Sequence, residues 1–234
     1  MISRDCVIVI EENNFKHINK MNTDHIFIFT NDKGKIADQL VEFGLTEGSN
    51  RVHVGQGTTN RKFYFDNFFL EILWVHNETE INSELIKPIG LWQRANYQSN
   101  DFSPFGLCVV NTDDTDRFFE NAHKYQPSYF PDGMTIDILR NEHQPSFPWT
   151  FRLPFKGKTG NETEPTKHEN GITRLSKVDF YVENISDLNF VHTFESEQNI
   201  NFIKSDKTWL NLTFDEGKQG LKKTFETLKL TLEY

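Results

Sequence analysis

Short alternating runs of apolar and polar residues dominate the chain and predict strands more often than helices. Residues 24–30, DHIFIFT, form the clearest run. Ile26 and Ile28 fall on one face, and His25, Phe27 and Phe29 on the other. Asn31 or Asp32 then offers a helix cap, Ile36, Leu40, Val41 and Phe43 give a helical stripe, and Gly44 a stop. RVHVGQG, NRKFYF and FFLEILWV follow, rich in β-formers and separated by small turn residues. Residues 24–76 therefore predict the order β-α-β-β-β.

The C-terminal part repeats that order. SKVDFYVEN, residues 176–184, aligns with DHIFIFTND at an offset of 152 residues. Ile26 meets Val178, Ile28 meets Phe180, and the capping Asp32 meets Asn184. Leu188, Val191 and Phe194 make a second helical stripe, and NINFIK, TWLNLTF and LKLTLEY predict further strands. Between the two repeats, residues 85–171 hold most of the prolines. GLCVVN and MTIDIL read there as strands, DTDRFFENAHKY as a short helix, and the polar segment 155–171 as a mobile loop. This stretch is too aromatic for a bare linker and is expected to add strands and a lid to a common sheet. The expectation is an α+β fold: paired β-α-β-β-β modules whose curled mixed sheets surround a cavity, plus an inserted middle region. The boundaries read 1–84 for the first module with an N-terminal extension, 85–171 for the insert and 172–234 for the second module.

Composition and charge narrow the function. The 22 Phe residues against a hydrophobic content of 36% exclude a disordered chain and suggest thin β-layers closed by bulky side chains. Lys and Arg number 25 against 34 Asp and Glu, and the net charge of −9 excludes a nucleic-acid partner. The two cysteines, Cys6 and Cys108, are too few for a disulfide scaffold, and free core thiols are expected. The apolar run from Cys6 to Ile10 is too short for a signal peptide or a membrane helix. A cytoplasmic protein without a membrane partner is the simplest expectation.

Several residues carry candidate chemistry. In His53-Val-Gly-Gln-Gly-Thr-Thr-Asn60, Gly55 and Gly57 permit positive φ, while Thr58 and Asn60 can line a small polar site. The alternative is a plain hairpin turn with Asn60 bonding its own backbone. Arg94 could clamp a substrate carboxylate at a cavity mouth, or sit on the surface beside a strand end. Tyr125, Tyr129 and Phe130 could form an aromatic lid or a small core. His25 and Glu71 each share a strand face with apolar residues, so the carboxylate must be paired, protonated or metal-bound.

Asp24-His25, the His53–Asn60 stretch and Phe69-Leu-Glu71-Ile-Leu together resemble the glyoxalase-like domain family of the vicinal oxygen chelate superfamily. That resemblance implies a divalent metal bound through the first and fourth strands of the modules, here His25 and Glu71. Imidazole plus carboxylate suits Zn, Ni, Co, Mn or Fe. A metal of this kind would act as a Lewis acid on vicinal oxygens, with Glu71 shuttling a proton in lyase or isomerase chemistry. Lys177 aligns with His25 in the second repeat and weakens the metal site. It could pair with Glu71 or bind an anionic substrate. The expected ligand is a small oxygen-rich or carbonyl compound, with His53, Gly57, Thr58, Asn60, Arg94 and Lys177 as binding residues. A metal-free binding or sequestering module is the alternative. An extradiol-type dioxygenase is a third reading, requiring His25, His53 and Glu71 to converge. A homodimer stays open, because exposed sheet edges invite pairing.

Overall fold

The alternation of residues 24–30 is realised as β1 (Thr23–Phe29), which lies near the middle of an eight-stranded sheet. The computed structural model describes residues 21–157, 163–195 and 199–234. Strands β2 (Val52–His53), β3 (Thr58–Phe65) and β4 (Phe68–Val75) complete the first unit, with helix α1 (Asp38–Glu42) between β1 and β2. Strands β5 (Phe105–Val109), β6 (His123–Tyr125), β7 (Ile136–Leu139) and β8 (Trp149–Arg152) form the other half of the sheet. Two short helices, α2 (Glu78–Ile81) and α3 (Leu91–Ala95), join the halves.

The strand order is β2-β3-β4-β1-β5-β8-β7-β6. In each half the first strand pairs in parallel with the fourth, and the fourth pairs antiparallel with the third. The halves meet where β1 runs antiparallel to β5. The expected α+β class, with paired modules and a curled mixed sheet, is therefore present. The unit that pairs with the first is built from residues 105–152. The helix expected from DTDRFFENAHKY shrinks to a 3-10 turn at Asp113–Thr115, and its end becomes β6.

Residues 175–234 form a separate five-stranded sheet from β9 (Leu175–Val182), β10 (Ile200–Lys204), β11 (Trp209–Phe214), β12 (Lys222–Phe225) and β13 (Leu230–Glu233). Its order is β10-β9-β11-β13-β12, so β9 pairs in parallel with β10 rather than with the last strand. The repeat at offset 152 is one of element type and not of strand pairing. Period-two alternation fixes which face is buried, but it does not name the neighbouring strand. Helix α4 (Leu188–Glu195) begins later than the aligned Asn184. Asp187 caps it, its Oδ1 accepting from the Phe190 amide at 3.0 Å.

Ile26, Ile28, Phe63, Phe65, Leu70 and Leu107 turn one face of the eight-stranded sheet into a core shared with the second sheet and α4. Phenylalanines bridge the layers: ring centroids lie 4.5 Å apart for Phe65 and Phe214, and 5.3 Å apart for Phe147 and Phe202. The opposite face of the first sheet is left to line a cavity. Cys108 is a free, buried thiol, while Cys6 and the run Cys6–Ile10 lie outside the described residues.

Candidate functional site

The inner face of the eight-stranded sheet encloses a cavity of about 290 Å³, whose wall includes His25, His53, Asn60, Glu71, Trp149 and Phe151. A β-bulge shapes one side. The β1–β5 register slips between Thr23 and His25, so Asp24 is the extra residue of β1. Asp24 Oδ1 and His25 Nδ1 then lie 2.7 Å apart, both residues buried. The imidazole also stacks on Phe69, its register partner on β4, with centroids 4.2 Å apart.

Glu71 points from β4 into the same cavity and is 6% exposed. Asn60 on β3 holds it: Nδ2 donates to Glu71 Oε1 at 2.5 Å, while Oδ1 accepts from the Arg51 amide at 2.7 Å. His53 on β2 lies 2.9 Å through Nδ1 from the Thr58 hydroxyl. Burial pulls its pKa below the ordinary 6.5, opposed by Glu71 and reinforced by Arg51, Lys62 and His25. His53 is therefore neutral at pH 7. Tyr129 closes the far side, 6.1 Å from the His53 ring, with its phenol pushed up to about 12 by burial.

The expected binding residues divide. His25, His53, Asn60 and Glu71 line the cavity together. Thr58 is fully buried behind His53 and supports its ring. Gly57, at φ 82°, is a turn pressed on α2, where an added Cβ would lie 2.5 Å from the Asn77 carbonyl oxygen. Arg94 does not reach the cavity mouth. It is wholly buried and donates to the carbonyls of Phe147 at 2.6 Å, Pro145 at 2.8 Å, Arg140 at 2.9 Å and Ser103 at 3.3 Å. Burial pulls its pKa down to about 9, so it stays charged at neutral pH and staples four loop carbonyls. Lys177 belongs to the second sheet, where it pairs with Asp179 Oδ2 at 2.8 Å and not with Glu71. It lines a different cavity of about 340 Å³ with Thr23, Val110 and Arg174.

Tyr129 and Phe130 line the cavity, while Tyr125 belongs to the apolar core. Arg51, Lys62, Trp149 and Glu164 also line it, and no sequence motif marks them. Alternation does carry a signal for Lys62, since Asn60, Lys62 and Tyr64 share one face of β3. Glu164 arrives from the segment before β9. Burial pushes its pKa up, but hydrogen bonds from the Ser49 amide and hydroxyl outweigh this and leave it lowered.

A metal held as the resemblance implies would take donors from the first and fourth strands of both units. In the first unit β1 and β4 offer His25 and Glu71. In the second, register puts Gly106 and Cys108 of β5, and Trp149 and Phe151 of β8, on that same face. None is a carboxylate or imidazole, and the Phe27 ring fills the space beside Gly106, where an added Cβ would lie 2.0 Å from it. Asp24, His25 and Cys108 have donor atoms within 4.8 Å of one another, a buried group that could hold an ion. Burial pushes the Cys108 thiol well up, which disfavours the thiolate. Among the described residues His25, His53 and Glu71 do not form such a group, so the three-ligand face of an extradiol enzyme is not assembled. Among the described residues, the first and fourth strands of the two units do not supply a four-donor metal site.

No helix among the described residues is long and apolar enough to cross a membrane. Similar solved structures include two hypothetical proteins. A hypothetical protein from Staphylococcus aureus is 12% identical, with a TM-score of 0.54, over 91% of this chain and 98% of that one. A hypothetical protein from Bacillus halodurans C-125 is 13% identical, with a TM-score of 0.39, over 60% of this chain and 99% of that one. The first of these likenesses speaks for the fold alone. No curated protein matches the chain. The family model of the glyoxalase-like domain matches residues 23–191, from β1 into α4, and the chain belongs to that family.

Proposed function

We propose that the cavity of the eight-stranded sheet binds a small oxygen-rich or carbonyl compound, and that it does so without a metal. The supporting observation is the division of its wall. His53, Asn60 and Glu71 gather polar groups on β2, β3 and β4, whereas β8 contributes Trp149 and Phe151. The volume of about 290 Å³ sits at the small end of ligand cavities. The amide and imidazole can donate to a carbonyl oxygen and the carboxylate can accept from a hydroxyl, while the rings take an apolar remainder. On this reading Glu71, in the cavity wall, moves a proton beside the bound carbonyl.

Metal-assisted lyase or isomerase chemistry, with His25 and Glu71 as ligands, is the second reading. The Asp24–His25 contact favours it, because a carboxylate on one ring nitrogen orients the other toward a metal. Elemental analysis of protein purified without chelators separates the two. Metal well below one atom per chain supports the first reading. One atom per chain in the wild type, lost in Glu71→Ala, supports the second.

A further inference from the structure

We infer that the cavity selects an anion, with Arg51 and Lys62 receiving a carboxylate carried by the bound carbonyl compound. This rests on the binding reading above and names its substrate class: small 2-oxo or hydroxy acids with an apolar or aromatic tail. Both cations line the cavity. The Arg51 guanidinium lies 4.6 Å over the Tyr129 ring, and Lys62 Nζ lies 5.2 Å from the Tyr64 ring centroid. Ring faces hold these side chains in place but leave their hydrogen-bond donors unused. Among the described residues neither side chain has a carboxylate oxygen within 4.0 Å, and neither donates to any acceptor.

The neighbouring Arg61 shows the contrast. It turns to the other face of β3, where Glu47 and Asp38 take its donors at 2.5 to 2.8 Å. Two carboxylates share the cavity with Arg51 and Lys62. Glu71, opposite Lys62 in the β3–β4 register, is bonded to Asn60, and Glu164, whose pKa Lys62 helps to lower, is bonded to Ser49, so neither forms an ion pair with Arg51 or Lys62. His53, neutral in the same wall, adds no charge. Arg51 stands beside Asn60, its amide bonded to the Asn60 side chain, and Lys62 is the next residue of β3 on that face. Both cations line one cavity, and an anion that reaches both makes two charge-assisted contacts. An acid seated there places its adjacent carbonyl oxygen toward the donors of Asn60 and His53, and its tail toward Trp149 and Phe151.

Calorimetric titration with phenylpyruvate and with phenylacetone, which keeps the ring and carbonyl but lacks the carboxylate, tests this. Phenylpyruvate is expected to bind about tenfold tighter or more, with an advantage that shrinks at high salt. In a folded Arg51→Gln/Lys62→Gln double variant, checked by its melting curve, the advantage disappears and phenylacetone binding is unchanged. Equal affinity of the two compounds for the wild type overturns the anion site and leaves the carbonyl-binding reading standing. An advantage retained by the double variant overturns the assignment to Arg51 and Lys62. Binding of neither compound overturns both readings.

Discussion

Asp24 and His25 are adjacent in sequence and yet face one another, Oδ1 to Nδ1 at 2.7 Å, because the bulge in β1 re-aims the acid. The contact ties a buried imidazole to a buried carboxylate beside the cavity. Asp24→Ala removes that partner and is expected to lower stability by about 1–3 kcal/mol. Asp24→Asn, which keeps an acceptor, costs less. Urea unfolding of both variants beside the wild type measures the difference, and an Asp24→Ala stability equal to that of the wild type would show that the contact contributes nothing.

Gly106 is one of the two β5 positions, with Cys108, that face the inner side where a second-unit metal ligand would sit. A Cβ there meets the Phe27 ring at 2.0 Å. Gly106→Ala is therefore expected to destabilise by about 1–3 kcal/mol. Phe27→Leu in the same chain should recover part of that loss, because the two sites share one volume. A double-mutant cycle without coupling would rule out the steric explanation.

Arg94 is a staple and not a clamp. Arg94→Met strands four carbonyls and should cost about 3 kcal/mol or more in equilibrium unfolding. The folded fraction should keep its affinity for phenylpyruvate. Affinity lost in step with the charge would restore the carboxylate-clamp expectation.

His53 and His168 both have pKa values lowered from 6.5, chiefly by burial. Their neutral forms are favoured in the folded chain, so the unfolded chain binds more protons just below pH 6.5. Stability should be level above that pH and fall as the pH drops through 6.5 toward the lowered values. His168 accepts the Thr46 amide through Nδ1 at 2.9 Å, and His168→Asn can keep an acceptor there without the titration. Melting curves from pH 7.5 to 5 should show a shallower decline for this variant. Parallel curves would remove His168 from the acid response.

The inner face of the first unit is legible in the sequence because a strand has a period of two. His25, Phe27 and Phe29 separate from Ile26 and Ile28 by alternation alone, and the same count puts Glu71 with Phe69 and Leu73. Pairing is not legible in this way. Residues 176–184 match residues 24–32 in type, yet β9 takes β10 as its parallel partner where β1 takes β4. The short β6 and β8 of the true partner unit carry too few residues to show a repeat. The repeat sets Lys177 against His25, whereas the chain carries Lys177 on the second sheet beside Asp179. Arg94 was misread because a fully buried arginine bonded to carbonyls looks, in sequence, like a surface one. Asp24 becomes a neighbour of His25 only through a bulge, which alternation does not reveal.

A crystal structure of chelator-treated protein soaked with phenylpyruvate tests the cavity most directly. The predicted result is a molecule on the inner face of the eight-stranded sheet, its carbonyl oxygen within about 3 Å of Asn60 or His53 and its ring against Trp149 and Phe151. A molecule seated instead beside Arg174 and Lys177, or an empty inner face at saturating concentration, would contradict it.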